Sequence, residues 1–205
     1  RVPTPIDLET VGSIAGFVGF FGEIPLVTPI AMGGFPGCLI NHSEPHQDSS
    51  VLVENGRLRN VFVYIWEGLD ERVFPIPTDP VVFDQKGCVY RPHVFGVQRF
   101  QPIMVTNSDS LLHNVHSLPV NQAGFNFGQP VAGVKNMVQF GESEVMVPVK
   151  CDVHGWMRAY IGVVDHPYFA VTPADGSFRL ENVPPGSYTL EAWHEMFGVQ
   201  RAKVI

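Results

Sequence analysis

The sequence predicts an all-β protein, and three observations carry that expectation. No segment longer than about ten residues keeps an apolar stripe at helical spacing without a proline or glycine interrupting it. Short runs rich in β-branched and aromatic residues recur along the chain, bounded by Gly, Pro, Asn or Asp clusters. The 20 glycines and 18 prolines are scattered rather than repeated, which suits a globular protein rich in turns and excludes collagen-like or disordered classes.

Taken in order, the most apolar stretch, "VGSIAGFVGFFGEIPLV", is broken by glycines, carries Glu23 and meets Pro25. It is too short and too interrupted to span a bilayer and reads as strands. Further strands are expected at "NVFVYIWEG" from Asn60, "QPIMVTNSD" from Gln101, "SEVMVPVKC" from Ser143, "RAYIGVVDH" from Arg158, "GSFRLENV" from Gly176 and "SYTLEAWHE" from Ser187. In the tail, an Asp175–Gly176 turn and a Pro184–Pro185–Gly186 turn separate three alternating strands, which predicts a compact meander.

At 205 residues the chain can bury one large β-core or two small ones. A net charge of −7 with no basic run argues against nucleic acid and favours a basic protein partner. The first residue is Arg1 rather than methionine, which suggests a processed or trimmed chain, with any export signal already gone. Three cysteines outside the cytoplasm imply one disulfide and one thiolate with other work. No nucleophile elbow, phosphate loop or zinc-protease motif is present, and Glu142 and Glu144 read as a solvated turn, so hydrolysis is not expected and the chain is not read as an enzyme.

One heptapeptide concentrates the chemistry. "CDVHGWM" places Cys151, His154 and Met157 three residues apart each, either at the tip of a copper-binding loop or by coincidence in a β-hairpin. Upstream, "NSDSLLHNVH" offers His113 after an Asn-x-Asp strand end. Together, in this order, the two segments resemble the cupredoxins, the small blue copper proteins such as amicyanin and plastocyanin, over residues 75–165. The resemblance implies a cupredoxin Greek-key β-sandwich holding one type-1 copper ion, with Cys151 as thiolate, His113 and His154 as imidazoles and Met157 as axial ligand. A thiolate and two imidazoles in a plane with a weak thioether suit neither oxidation state of copper fully, so little rearranges when an electron moves. Methionine tips the choice from zinc to copper, because structural zinc sites favour several cysteines or histidines. A dinuclear copper centre would need a second cysteine in the same loop, and covalent haem a Cys-x-x-Cys-His run; neither occurs.

Neighbouring residues are expected to support the set. His116, three residues after His113 on a strand, should face the other way and not bind. Asn114 resembles the family asparagine whose side chain ties the first histidine's strand to the cysteine loop; a plain exposed asparagine is the alternative. Trp156 is expected either in an apolar docking rim or in the core. The chain departs from the family pattern at Arg158 and Ala159, where a glycine usually follows the methionine by two residues, and in the long "VNQAGFNFGQPVAGVKNM" segment.

The tail pattern, Asp-Gly-x-Phe followed by Pro-Pro-Gly-x-Tyr, resembles carboxypeptidase-regulatory-like, transthyretin-type β-sandwiches. "GSIAGFVGFFGEIP" and "NVFVYI" look like that domain's opening strands. The resemblance implies a discontinuous sandwich from residues 10–70 and 166–205 into which the cupredoxin module is inserted; the alternative is two sequential domains split near Asp165. Cys38, in the outer part, and Cys88, in the insert, are then the candidate disulfide, cross-linking the two. Two reduced buried thiols, or a second metal site using Cys38 or Cys88 with His42, His46 or His93, remain alternatives. Cys38, His42 and His46 would align on a helix, but Pro45 would break its last turn. His166 and His194 read as surface or sandwich-edge residues.

The functional expectation is an exported protein, periplasmic or extracellular, carrying one electron at a time between redox proteins. Its partner would be a cytochrome or a copper- or haem-containing oxidoreductase met transiently, with membrane association only through that partner or an anchor outside this chain. Copper(I) delivery or storage, and a cell-surface binding module with a structural metal, are the alternatives.

Overall fold

The computed structural model describes residues 2–40, 42, 44 and 46–205. Pro45, expected to break a helix, and Arg1, read as a processed end, lie outside the described residues. The chain divides into two compact units: Arg1–Leu26 with Ser50–Pro75 and Asp165–Ile205, and Val27–Ser49 with Ile76–Val164.

The first unit opens with β1 (Gly12–Phe17), β2 (Val53–Glu54), β3 (Arg57–Leu58) and β4 (Phe62–Glu67). Asn55 and Gly56 both take positive φ, the backbone that closes a tight two-residue hairpin between β2 and β3. The second unit supplies α1 (Pro36–Leu39), β5 (Val81–Gln85), β6 (Tyr90–Arg91), β7 (Val94–Gln98), β8 (Ile103–Asn107), β9 (His113–Ser117), β10 (Asn126–Gln129), β11 (Lys135–Val138), β12 (Glu144–Lys150) and β13 (Arg158–Val164). The chain then returns to the first unit with β14 (Phe169–Val171), β15 (Ser177–Val183), β16 (Tyr188–His194) and β17 (Gly198–Val204). The protein is all-β, and α1 is the one helix among the described residues.

In the first unit, early and late strands pair. β4 lies between β14 and β16, with β17 beyond, and β1 pairs with β15 in a separate ribbon. Val61, Val63 and Ile65 meet Leu180, Val183, Tyr188 and Leu190 in one core, so ribbon and sheet cover each other's apolar faces. The expected tail meander is corrected: β15 pairs with β1, whereas β14 and β16 both pair with β4. Pro184 and Pro185 have no N–H to continue a ladder, and the Tyr188 hydroxyl donates to Pro184 O at 2.6 Å, turning the chain out of one sheet and into the other.

The second unit is a two-sheet sandwich. One sheet runs β10-β9-β12-β13-β7 and the other β11-β8-β5-β6; β13–β7 and β5–β8 are parallel and the rest antiparallel. Between them lie Phe83, Phe95, Val97, Ile103, Val105, Val115, Val147, Val149 and Ile161. β9 alternates buried and half-buried residues, which sends His113, Val115 and Ser117 inward and leaves Asn114 and His116 on the other face.

The two compact units divide the expected first segment internally. Residues 27–49 belong to the second unit, where Met32 and Cys38 enter the core beside Cys88. Cys38 and Cys88 are disulfide-bonded, so the bond lies within one unit instead of joining two. His194, expected at the surface or the sandwich edge, is buried at 3% exposure, its ring stacked on Phe197. His166 is half-buried among Tyr64, Phe74 and Tyr168.

Candidate metal centre

The loop between β12 and β13 is tied from within. Cys151 N–H donates to Met157 O at 3.2 Å and Met157 N–H to His154 O at 2.9 Å, so the two ends of the heptapeptide are held together. Its side chains turn inward: Cys151, His154 and Met157 are exposed by 2%, 3% and 1%. β9 brings His113 from the neighbouring strand, fully buried.

Three of the four expected ligands meet through their donor atoms. His113 Nδ1 and His154 Nδ1 face each other at 3.0 Å, and Cys151 Sγ lies 3.8 Å from His154 Nδ1. The ligand atoms of His113, Cys151 and His154 all lie within 4.8 Å of one another. Metal–nitrogen bonds of about 2.0 Å and metal–thiolate bonds of about 2.3 Å span donors at such separations, so the cluster fits a single ion. Met157 closes the same loop at the buried end, placing a thioether in the donor set's own segment.

Electrostatics distinguish the members. Burial by itself would raise the Cys151 thiol, but hydrogen bonding from His113 and the backbone N–H groups of His154, Asn114 and Val153 outweighs it and lowers its pKa. Burial pushes His113 down, yet Cys151 and Asp109 more than restore it and leave it raised. His154 is lowered, by burial first and by the neighbouring His113 second. A thiol whose pKa is lowered gives up its proton to a soft metal more readily.

Asp109 is the residue at this site whose role the sequence reading leaves unassigned, although it ends the quoted Asn-x-Asp. Its Oδ2 lies 2.9 Å from His113 Nε2, and its two oxygens accept N–H bonds from Gly87 and Cys88 at 2.8 Å each. A carboxylate can only accept there, so Asp109 holds a proton on His113 Nε2 and turns Nδ1 toward the centre. Phe35, from the segment before β2, also goes unanticipated. Its ring lies 4.7 Å from that of His154 and 5.3 Å from that of Trp156, both edge-on. An aromatic anchor that reaches a site from a distant loop leaves no local pattern.

The remaining candidates fall as follows. Asn114 Oδ1 accepts Asp152 N–H at 2.7 Å, tying β9 to the cysteine loop, and Asn114 O accepts the Tyr90 hydroxyl at 2.5 Å. His116 points away from the cluster and pairs with Asp152 at 3.0 Å. Trp156 is half-buried and donates its Nε1–H to Cys88 O at 2.9 Å. His42 donates to Gly87 O at 2.6 Å with its ring 5.0 Å from that of His46, and His93 bonds Arg158 O. Among the described residues none of these three joins a group of metal-spaced donors. Glu144 accepts N–H bonds from Val120 and Asn121, and Glu142 lies 3.6 Å from Arg99 in an exposed ion pair.

No family model matches the chain, and no curated protein matches it. Solved structures similar to part of it include a copper-containing nitrite reductase (NirK) from Thermus scotoductus SA-01, at 18% identity over 46% of this chain and 24% of that one, with a TM-score of 0.38. This chain therefore spans about a quarter of the reductase's length. A mutant of amicyanin in its Cu(I) form is 18% identical over 43% of this chain and 85% of its own, with a TM-score of 0.37. A purple cupredoxin from Nitrosopumilus maritimus is 21% identical over 40% of this chain and 98% of its own, with a TM-score of 0.34.

Proposed function

We propose that the second unit is a cupredoxin-type module that holds one copper ion through His113, Cys151, His154 and Met157 and carries single electrons between redox proteins. The observation that carries this reading is the meeting of two imidazole nitrogens and a lowered-pKa thiol at metal spacing, all in a dry interior. Bound there, copper would supply a one-electron couple whose two states share nearly one geometry.

The chain's own residues do the rest. Asp109 keeps the His113 proton on Nε2, Asn114 locks β9 to the loop, and the bonds within residues 151–157 hold the donors in place before any ion arrives. Carrier rather than enzyme is favoured because all four proposed ligands are at least 97% buried, which suits electron tunnelling and offers a substrate no approach. The Cys38–Cys88 disulfide favours an exported, periplasmic or extracellular protein. The first unit would serve as a transthyretin-like platform, and a redox protein would dock transiently, steered by the net charge of −7 if it is basic. Among the described residues no helix is long and apolar enough to cross a membrane.

The test is the visible and electron paramagnetic resonance spectrum of the copper-loaded protein. An intense thiolate-to-copper band that Cys151→Ser abolishes is expected. Copper held tightly with no such band would sink the electron-carrier reading.

A further inference from the structure

The disulfide stands beside the centre. The sulfurs of Cys38 and Cys88 and a ring nitrogen of His154 all lie within 4.8 Å of one another, and all three residues are buried, at 0%, 0% and 3% exposure. His154 directs Nδ1 to His113 and Cys151, which leaves its Nε2 to serve the two sulfurs.

Both cysteines are anchored by bonds that do not depend on the sulfur–sulfur link. Gly87 and Cys88 take left-handed φ of 70° and 54°, a turn that aims both N–H groups at the Asp109 carboxylate at 2.8 Å. Cys88 O accepts from Trp156 Nε1, and Gly87 O accepts from His42 Nε2 across to the other cysteine's segment. On α1, Cys38 N–H donates to Phe35 O at 2.9 Å. Gly37 sits so near Leu111 that an added Cβ would meet Cδ2 at 2.8 Å, which keeps the helix seated. Breaking the link therefore leaves two thiols facing His154 in a formed pocket.

We propose that reduction of Cys38–Cys88 creates a second soft-metal site, Cys38–Cys88–His154, which takes a cuprous ion beside the first centre. Two thiolates and an imidazole form a three-donor set suited to Cu(I), while structural zinc asks for four. In the reduction, a dithiol gives two electrons and two protons. Its own sulfurs join in a disulfide, the Cys38–Cys88 bond breaks, and each cysteine sulfur takes a proton. Binding of Cu(I) then releases both thiol protons and, where His154 Nδ1 already holds the first ion, the Nε2 proton as well, so that the imidazolate bridges the two ions. The site shares only His154 with the proposed electron-carrying centre.

The experiment counts cuprous ions per chain on the full protein, anaerobically, with Cu(I) supplied from a buffered chelate and a phosphine as reductant so that no external thiol competes. After reduction the wild-type protein should bind one more Cu(I) than before. The Cys38→Ser/Cys88→Ser double variant should show no increment, and Cys151→Ser, which removes a ligand of the first centre alone, should keep it. No increment in the wild type, or an equal one in the double variant, would overturn the proposal. The blue band of the oxidised wild-type protein reports the first centre separately, so a missing band with the increment intact would defeat the electron-carrier reading and leave this one standing.

Discussion

The two units bury polar groups in opposite ways. In the first, the Tyr64 hydroxyl donates to Glu191 Oε1 at 2.6 Å and Arg201 reaches Glu191 Oε2 at 2.7 Å, while the guanidinium lies 3.4 Å over the Trp66 ring. Every partner of the buried carboxylate is another protein group, and the network closes on itself. In the second unit, two imidazole nitrogens and a thiol point at one another, a set of groups that bind metals better than they bind each other. A closed network reads as architecture and a convergent one as a site.

Metal removal should give the largest contrast. A ligand at a free concentration about 1,000 times its dissociation constant stabilises the folded state by about 4 kcal/mol. With the proposed copper ion bound, stripping it should destabilise the second unit by that order, as read by calorimetry with and without chelator, and leave the first unit's transition in place. Equal shifts of both transitions would break the distinction.

Next in size is Glu191→Ala, which strands the Tyr64 hydroxyl and the Arg201 guanidinium. Arg201 is half-exposed, which tempers the loss, and about 2–3 kcal/mol is expected from denaturant unfolding. Copper affinity should not change. The converse variant, Asp109→Asn, should weaken copper binding by about 10–100-fold, because the amide no longer fixes the His113 proton. A shift in the electron paramagnetic resonance parameters should accompany it, a readout that a merely structural role would not move. Unchanged affinity and spectrum would remove Asp109 from the site.

How much of this was legible depends on how local each signal is. Cys151, His154 and Met157 lie within one loop, so their spacing showed in the sequence, and the Asn-x-Asp and His-Asn-Val run singled out His113 as a candidate. The β character was equally readable, since period-two patterns and Gly/Pro boundaries are short-range. Sheet partnership was not: β15 looks like a neighbour of β16 along the chain, yet the prolines between them send the two into different sheets. Residues 27–49 carry no strand pattern that assigns them to a unit; their tertiary contacts do, through Met32 and Cys38 in the second core and the bond from Cys38 to Cys88, 50 residues away. Phe35 and Asp109 were missed for the same reason, because each acts on a histidine through a contact that only the tertiary structure makes.

The smallest effect concerns a histidine that belongs to neither network. His166 lies among the Tyr64, Phe74 and Tyr168 rings, and burial lowers its pKa from 6.5 to about 4. The unfolded chain then takes up a proton near pH 6.5 that the folded chain refuses until about pH 4, so the unfolded state holds more protons between those values. Stability contributed by the neutral ring is complete above pH 6.5, falls as the pH drops, and levels off below about 4. Because the ring is only half-buried, the loss should be about 1–2 kcal/mol across that window. It should appear in the first unit's unfolding alone and flatten in His166→Phe, which keeps the ring contacts and cannot titrate. A wild-type profile as flat as the variant's would show that the ring is solvated enough to protonate in place.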